Sequence, residues 1–127
     1  MSTVFNVGVI GCGMISVNHF KAIKQLKNAK LAAVCDIDPA ALEKAVSEQG
    51  VKGYQDYHDL LHDESIHTVH ICTPHYLHAQ MAIDALNAGK HVICEKPMAM
   101  NEQEAKAMKE AAEKNGKLLM IGFVRRF

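Results

Sequence analysis

The sequence has no net charge: 14 Lys+Arg balance 14 Asp+Glu over 127 residues. That disfavours nucleic acid as the principal ligand, because displacing counterions from a phosphate backbone takes a basic face. No apolar run approaches the roughly 18 residues that a membrane-spanning helix needs. The apolar stretch at 4–17 has no cation ahead of it, the first being Lys21. It does not read as a secretory leader, and the chain reads as cytoplasmic. The four cysteines, Cys12, Cys35, Cys72 and Cys94, form no CxxC pair, and four reduced thiols are expected. Repeats, low-complexity segments and internal linkers are absent too. What remains is ordinary for a globular domain, with 49% hydrophobic and 22% charged residues. The length fits one domain with its own core.

Strand and helix signals alternate along the chain. Residues 4–10 are a β-rich run ending at Gly11, and from Met14 to Lys27 apolar Ile15, Phe20, Ile23 and Leu26 recur at helical spacing. Residues 30–36 are almost continuously apolar, as suits a strand covered on both faces. Asp38 as cap and Pro39 as first residue open a helix to Gln49, and Gly50 ends it. A short strand at 52–54 and an acidic helical turn at 56–62 precede a fourth strand at 67–72. Thr73-Pro74 then leads into a helix reaching Ala88, closed by Gly89 in the left-handed conformation. A strand at 90–94, the loop Glu95-Lys96-Pro97, a helix over 101–115 ending at Gly116 and a strand at 117–122 complete the pattern. The expected fold class is α/β: a doubly wound parallel sheet of six strands in the order 3-2-1-4-5-6, as a single domain over 1–127.

Gly11-Cys12-Gly13-Met14-Ile15-Ser16 follows the first strand and leads into a helix, the context in which a glycine pair binds a dinucleotide. Gly11 takes the tight turn, and Gly13 lets the backbone approach a pyrophosphate at the helix N-terminus. Ser16 stands where Gly or Ala is usual, small enough to fit, with a hydroxyl available to cap the helix. Asp36 closes the second strand 23 residues after Gly13, near the offset of the acid that binds the adenosine ribose. A carboxylate there repels a 2′-phosphate, so NAD is expected over NADP. In a doubly wound sheet the ligand lies beyond the carboxyl ends of the strands. The loops after the fourth and fifth strands, Thr73-Pro74-His75-Tyr76-Leu77-His78 and Glu95-Lys96-Pro97-Met98, share that edge. Pro97 restricts the backbone beside Lys96, and Glu95 is placed to pair with or orient that lysine. Cys72, His75 and His78 fall at three-residue intervals, but the spacing matches no usual zinc pattern and no metal site is expected.

These segments resemble the N-terminal domain of the Gfo/Idh/MocA oxidoreductases: glucose–fructose oxidoreductase, inositol dehydrogenase and their relatives. The resemblance rests on Val-Gly-Val-Ile-Gly-Cys-Gly at 7–13, Val-Cys-Asp-Ile-Asp-Pro at 34–39 and Ile-Cys-Thr-Pro-His at 71–75. Leu77-His78, Gly89-Lys90-His91-Val92, Glu95-Lys96-Pro97 and Gly-Phe-Val-Arg-Arg-Phe at 122–127 continue it in the same order. Glu-Lys-Pro is the most specific element. The resemblance implies hydride transfer between a nicotinamide cofactor and a hydroxyl-bearing carbon of a sugar, cyclitol or related polyol. It makes Lys96 the catalytic residue, contacting the substrate hydroxyl on the nicotinamide side. The cofactor-binding set is expected to be Gly11, Gly13, Met14, Ile15, Asp36, Thr73, Pro74, His75, His78, Glu95 and Lys96. Two positions depart from the family: His75 stands where Asn is common, and Val124 replaces an Asn.

Family members are more than twice this length. Their second domain carries much of the substrate pocket, a frequent catalytic histidine and the oligomer interface. By that resemblance the chain is the dinucleotide-binding part of a longer, homo-oligomeric enzyme and binds NAD without turnover. Two alternatives stand beside it. One is a free-standing NAD(H)-binding sensor or accessory module, in which Lys96 is dispensable. The other is an S-adenosylmethionine enzyme, in which the Glu-Lys-Pro loop has no role.

Overall fold

Strand follows helix in strict alternation, and nearly all boundaries fall within two residues of those expected from the sequence. The computed structural model describes residues 5–73, 77–94 and 102–121, apart from the side chains of Met14, Ile15, Asn18 and Ile121. The elements are β1 (Phe5–Ile10), α1 (Met14–Gln25), β2 (Ala29–Cys35), α2 (Pro39–Gln49), β3 (Lys52–Tyr54) and α3 (Tyr57–Leu61), then β4 (Thr68–Ile71), α4 (His78–Asn87), β5 (His91–Cys94), α5 (Glu102–Asn115) and β6 (Leu119–Ile121). The six strands form one sheet in the order β3-β2-β1-β4-β5-β6. Every pairing is parallel. This is the doubly wound α/β fold that the alternation called for.

The local signals act as anticipated. Asp38 accepts the Ala40 N–H (3.1 Å) with Pro39 in the first helical turn. Gly50, Gly89 and Gly116 all follow helices with positive φ. The sheet then buries both faces. On one side Ile10, Leu60, Ile66, Val69, Ile71 and Leu86 pack beneath α3, α4 and α5. On the other, Val7, Val9, Phe20, Ile23, Leu31 and Val34 pack beneath α1 and α2. Each fully buried aliphatic side chain contributes roughly 1.5–3 kcal/mol relative to exposure.

One detail of the second strand escapes a simple alternation. Between Val7 and Gly8 the register of β1 against β2 shifts, so that Val7 faces Leu31 but Gly8 faces Ala33. Leu31 and Val34, three residues apart, therefore reach the same core, a pattern that a period of two does not produce. The Gly89-Lys90 pair has an equally local purpose. Lys90 is 5% exposed, and its ammonium donates to the carbonyls of Asp63 (2.9 Å) and Ile66 (2.8 Å). Burial lowers its pKa, and the two carbonyls replace the water it has lost. The side chain ties the approach to β4 against the start of β5, at the edge of the sheet opposite the strands' carboxyl ends.

Candidate functional site

The carboxyl ends of β1, β2 and β4 converge on Gly11. Its N–H donates to the Cys35 carbonyl (2.7 Å), while Cys72 N–H donates to the Ile10 carbonyl (2.8 Å). Gly11 has φ +98°, and a Cβ built there would stand 2.8 Å and 2.9 Å from the carbonyl carbon and oxygen of Cys72. Backbone thus meets backbone, and only glycine fits. Gly13 is different. Its φ is −83°, open to any residue, and among the described residues no atom beyond its chain neighbours and the helix's own backbone lies within 4 Å of where its Cβ would be. Neither strain nor protein packing calls for glycine there, and the space beside it stays open at the end of α1.

Gly13 is the N-cap residue of α1, and no side chain caps that helix. The expectation that Ser16 would do so is not met. Ser16 is fully buried, and its hydroxyl donates back to the Gly13 carbonyl. It sits on the third helical residue, where a hydroxyl reaches the carbonyl three residues behind rather than an N–H ahead. Among the described residues the first-turn N–H groups, including those of Met14 and Ile15, thus have no side-chain acceptor, the condition for holding an anion.

Asp36 follows β2 and reaches toward this loop. One carboxylate oxygen accepts Cys12 N–H (2.9 Å), and the other accepts Asp38 N–H (2.9 Å). The acid therefore fixes the glycine loop as well as offering a charge. Each carboxylate oxygen has about two acceptor directions, so capacity remains for hydroxyl donors. The thiols nearby are not nucleophiles. Burial, then the Asp36 charge, pushes Cys12 up to about 11, and burial with Cys12 and Asp36 pushes Cys35 to about 12. None of the four cysteines is in a disulfide.

A cleft of about 270 Å³ opens here, with Gly11, Gly13, Asp36, Ile37, Tyr57 and Thr73 among its walls. A larger groove of about 360 Å³ runs on the other side of Cys12-Gly13, between α1 and α2. It lacks Asp36 and the β4 end, so the smaller cleft is the one that combines the glycine loop, the acid and the β4 loop. Thr73 enters the cleft wall with its hydroxyl on Met81 Sδ (3.4 Å). The structure places His78 elsewhere. It is buried, first in α4, with Nε2 on the Thr73 carbonyl (2.8 Å), so it closes the loop from within and is not a cleft-wall residue. Pro74, His75, Glu95 and Lys96 lie outside the described residues.

Sequence reasoning missed one feature of the helix that carries the loop. His19 on α1 and His70 on β4 are both buried, with their Nδ1 atoms 2.7 Å apart and rings edge to face. A polar residue inside the apolar stripe of α1, matched by one on a buried strand, was the available signal. At that separation one Nδ1 donates and the other accepts, so the accepting ring is neutral. Burial, and then the neighbouring ring, holds His70 well below the ordinary histidine pKa. An unfolded histidine takes its proton near ~6.5, so below that pH the unfolded chain binds more protons than the native one. Stability that depends on a neutral His70 is complete above ~6.5 and declines on acidification, by up to about 1.4 kcal/mol per pH unit for one proton. Urea melts of wild type and His70→Leu from pH 7 to 5 should show a steeper loss in wild type. Parallel slopes would rule out this role for the pair.

Residues 5–123 match the family model of the Gfo/Idh/MocA proteins, described as an oxidoreductase family with an NAD-binding Rossmann fold. Inositol 2-dehydrogenase of Salmonella paratyphi B is 38% identical over 124 residues, covering 94% of this chain and 37% of that protein. The WlbA dehydrogenase of Bordetella pertussis, solved with NADH and UDP-GlcNAcA, superposes with a TM-score of 0.91 at 34% identity, over 95% of this chain and 36% of that one. KijD10, a 3-ketoreductase from Actinomadura kijaniata solved with NADP and TDP-benzene, superposes with a TM-score of 0.90 at 29% identity, over 95% and 38%. The chain thus spans little more than a third of the length of these relatives. With the glycine loop, the acid after β2 and the strand order in agreement, the chain belongs to the Gfo/Idh/MocA oxidoreductases and carries their NAD-binding Rossmann domain.

Proposed function

We propose that this domain binds NAD in the cleft beside Asp36. Within an enzyme of its relatives' length, it would present the nicotinamide to a hydroxyl-bearing carbon of a sugar, cyclitol or related polyol. The observation that carries the reading is the Asp36 carboxylate, held at the mouth of a cleft that also contains the uncapped start of α1. The pyrophosphate is assigned to the N–H groups of Met14 and Ile15 beside Gly13, and the adenosine ribose hydroxyls to Asp36. Thr73, Pro74 and His75 are assigned to the nicotinamide side. His78 acts on that loop through the Thr73 carbonyl.

The bound cofactor supplies the hydride-accepting carbon, and the chain's own residues prepare the substrate. Lys96 stabilises the negative charge that grows on the substrate oxygen as the hydroxyl proton leaves, and Glu95 orients Lys96. The substrate class is supported by the inositol dehydrogenase relatives. Substrate-binding and oligomer contacts are assigned to the other two-thirds of such an enzyme, so the 127-residue chain binds NAD without turning over.

Preference for NAD rests on the Asp36 charge, which repels a 2′-phosphate. KijD10, solved with NADP, shows that this fold does not by itself set the preference. Calorimetric titration of the chain with NAD and NADP side by side tests the reading, with saturable binding and NAD preferred as the expected result. In Asp36→Ala, NAD binding should weaken roughly ten- to hundred-fold, the worth of charge-assisted hydrogen bonds, and the gap to NADP should narrow. Asp36→Asn keeps an acceptor for Cys12 N–H, so it separates loss of charge from loss of loop order. Unchanged affinity and preference in both variants would remove Asp36 from the site.

A further inference from the structure

Beyond Asp36 the cleft turns apolar. Ile37 is one of its lining residues and is 79% exposed. Its backbone is steadied by Gln55, whose side-chain amide donates to the Ile37 carbonyl (3.2 Å). Tyr57, Leu77 and Met81 also line this cleft. Leu77 and Met81 lie four residues apart at the start of α4, and Asp84 follows three residues later on the same helical face. Asp84 is where Tyr57 is anchored. The phenol donates to one Asp84 carboxylate oxygen, while Gln80 Nε2 donates to the other (2.8 Å). His58 stacks on the Tyr57 ring with centroids 4.1 Å apart.

α3 has only five residues, and Tyr57 is its first. The hydrogen bond to Asp84 therefore joins the start of a short helix to the cleft-facing side of α4. It ties one lining residue, Tyr57, to the helix that brings two others, Leu77 and Met81, to the same cleft. A base attached to a ribose held by Asp36 would enter the cleft that Ile37 also lines. A flat, largely apolar ring entering there would meet those four side chains.

We propose that Tyr57 is a positioning residue for adenosine recognition: clamped by Asp84, its ring sets the width of the slot that receives the adenine. This rests on the dinucleotide reading above. The hydroxyl is committed to Asp84, so the contribution is geometric and the base meets the ring. Burial, followed by the Asp84 hydrogen bond and charge, raises the phenol's pKa and keeps the donor protonated at all ordinary pH values.

Titrating NAD and ADP-ribose into wild type, Tyr57→Phe, Asp84→Asn and Asp84→Ala tests the clamp, with melting temperatures recorded for each. Phenylalanine keeps the ring and loses only the tie. In Tyr57→Phe both ligands should weaken by the same factor, roughly three- to ten-fold, the worth of one hydrogen bond. Asp84→Asn retains an oxygen acceptor and should bind close to wild type, whereas Asp84→Ala should repeat the Tyr57→Phe loss. A merely structural role would lower the melting temperature while leaving affinity at 25 °C unchanged in the folded variants, and that result overturns the proposal. So does a loss for NAD that ADP-ribose does not share. Failure of wild type to bind either ligand overturns the dinucleotide reading itself, and this inference with it.

Discussion

Replacing Gly11 with alanine is expected to destabilise the domain by about 1–4.5 kcal/mol, whereas the same substitution at Gly13 should barely change stability. Two costs meet at Gly11. Its φ of +98° lies in the region that side chains with a Cβ rarely enter, a penalty of roughly 1–2 kcal/mol. The new methyl would also stand 2.8 Å from the Cys72 carbonyl carbon, where the obstacle is backbone rather than a movable side chain. Relieving such an overlap costs about 1–3 kcal/mol. The smaller unfolded-state entropy of alanine returns only about 0.4–1 kcal/mol. At Gly13 neither cost arises, since φ is ordinary and among the described residues no atom beyond the local backbone and chain neighbours lies near the Cβ position. There the methyl should obstruct the dinucleotide instead. Urea denaturation with NAD titration distinguishes the two: Gly11→Ala should lower the midpoint strongly, and Gly13→Ala should keep its midpoint and lose affinity. Equal midpoints for the two variants would contradict the geometry described for Gly11.

The contrast between these glycines also marks what the sequence discloses. The strand order was legible because each helix carries its own start and stop. Asp38-Pro39, Gly50, Gly89 and Gly116 act within a few residues, and short-range signals survive in a linear reading. Gly11, Gly13 and Asp36 were legible as a set for the same reason. Why Gly11 must be glycine was not, because the obstacle is Cys72, brought alongside by the pairing of β1 with β4. The second duty of Asp36, accepting Cys12 N–H, depends on a contact 24 residues back along the chain.

Contacts between distant side chains account for the rest. His19 and His70 are 51 residues apart, and Tyr57 and Asp84 are 27 apart. Each pair joins a helix to another element, and neither partner announces the other. Ser16 misled for a related reason. Small polar residues near a helix start commonly cap it, but the N-cap falls on Gly13, three positions before Ser16, and the Ser16 hydroxyl goes back to a carbonyl. His78 similarly reads as a ligand-facing imidazole because it follows a loop at the ligand edge of the sheet. Folding turns it inward to bind that loop's own Thr73 carbonyl.

In an enzyme of the relatives' length, Lys96→Ala is expected to lower kcat about 100- to 10,000-fold while NAD affinity stays within a few-fold of wild type. The expectation combines the family resemblance of Glu-Lys-Pro with the position of the strand that precedes it. Cys94, the last residue of β5, is in register with Ile71, the last of β4. The chain therefore leaves β5 level with the segment that enters the cleft at Thr73. A cation supplied from that edge acts mainly where charge is changing. The ground-state hydroxyl is neutral and gains little from it, whereas the oxygen losing its proton gains much, so the effect belongs in kcat rather than in cofactor binding. Lys96→Arg divides the two ways a lysine can work there. Arginine keeps the charge but does not give up its proton near neutral pH, so it should recover activity if charge stabilisation dominates and fail if the lysine also relays the proton. Should Lys96→Ala instead weaken only NAD, with kcat intact at saturating cofactor, the lysine would be a binding residue. The chemistry would then have to come from the two-thirds of such an enzyme that this chain does not span.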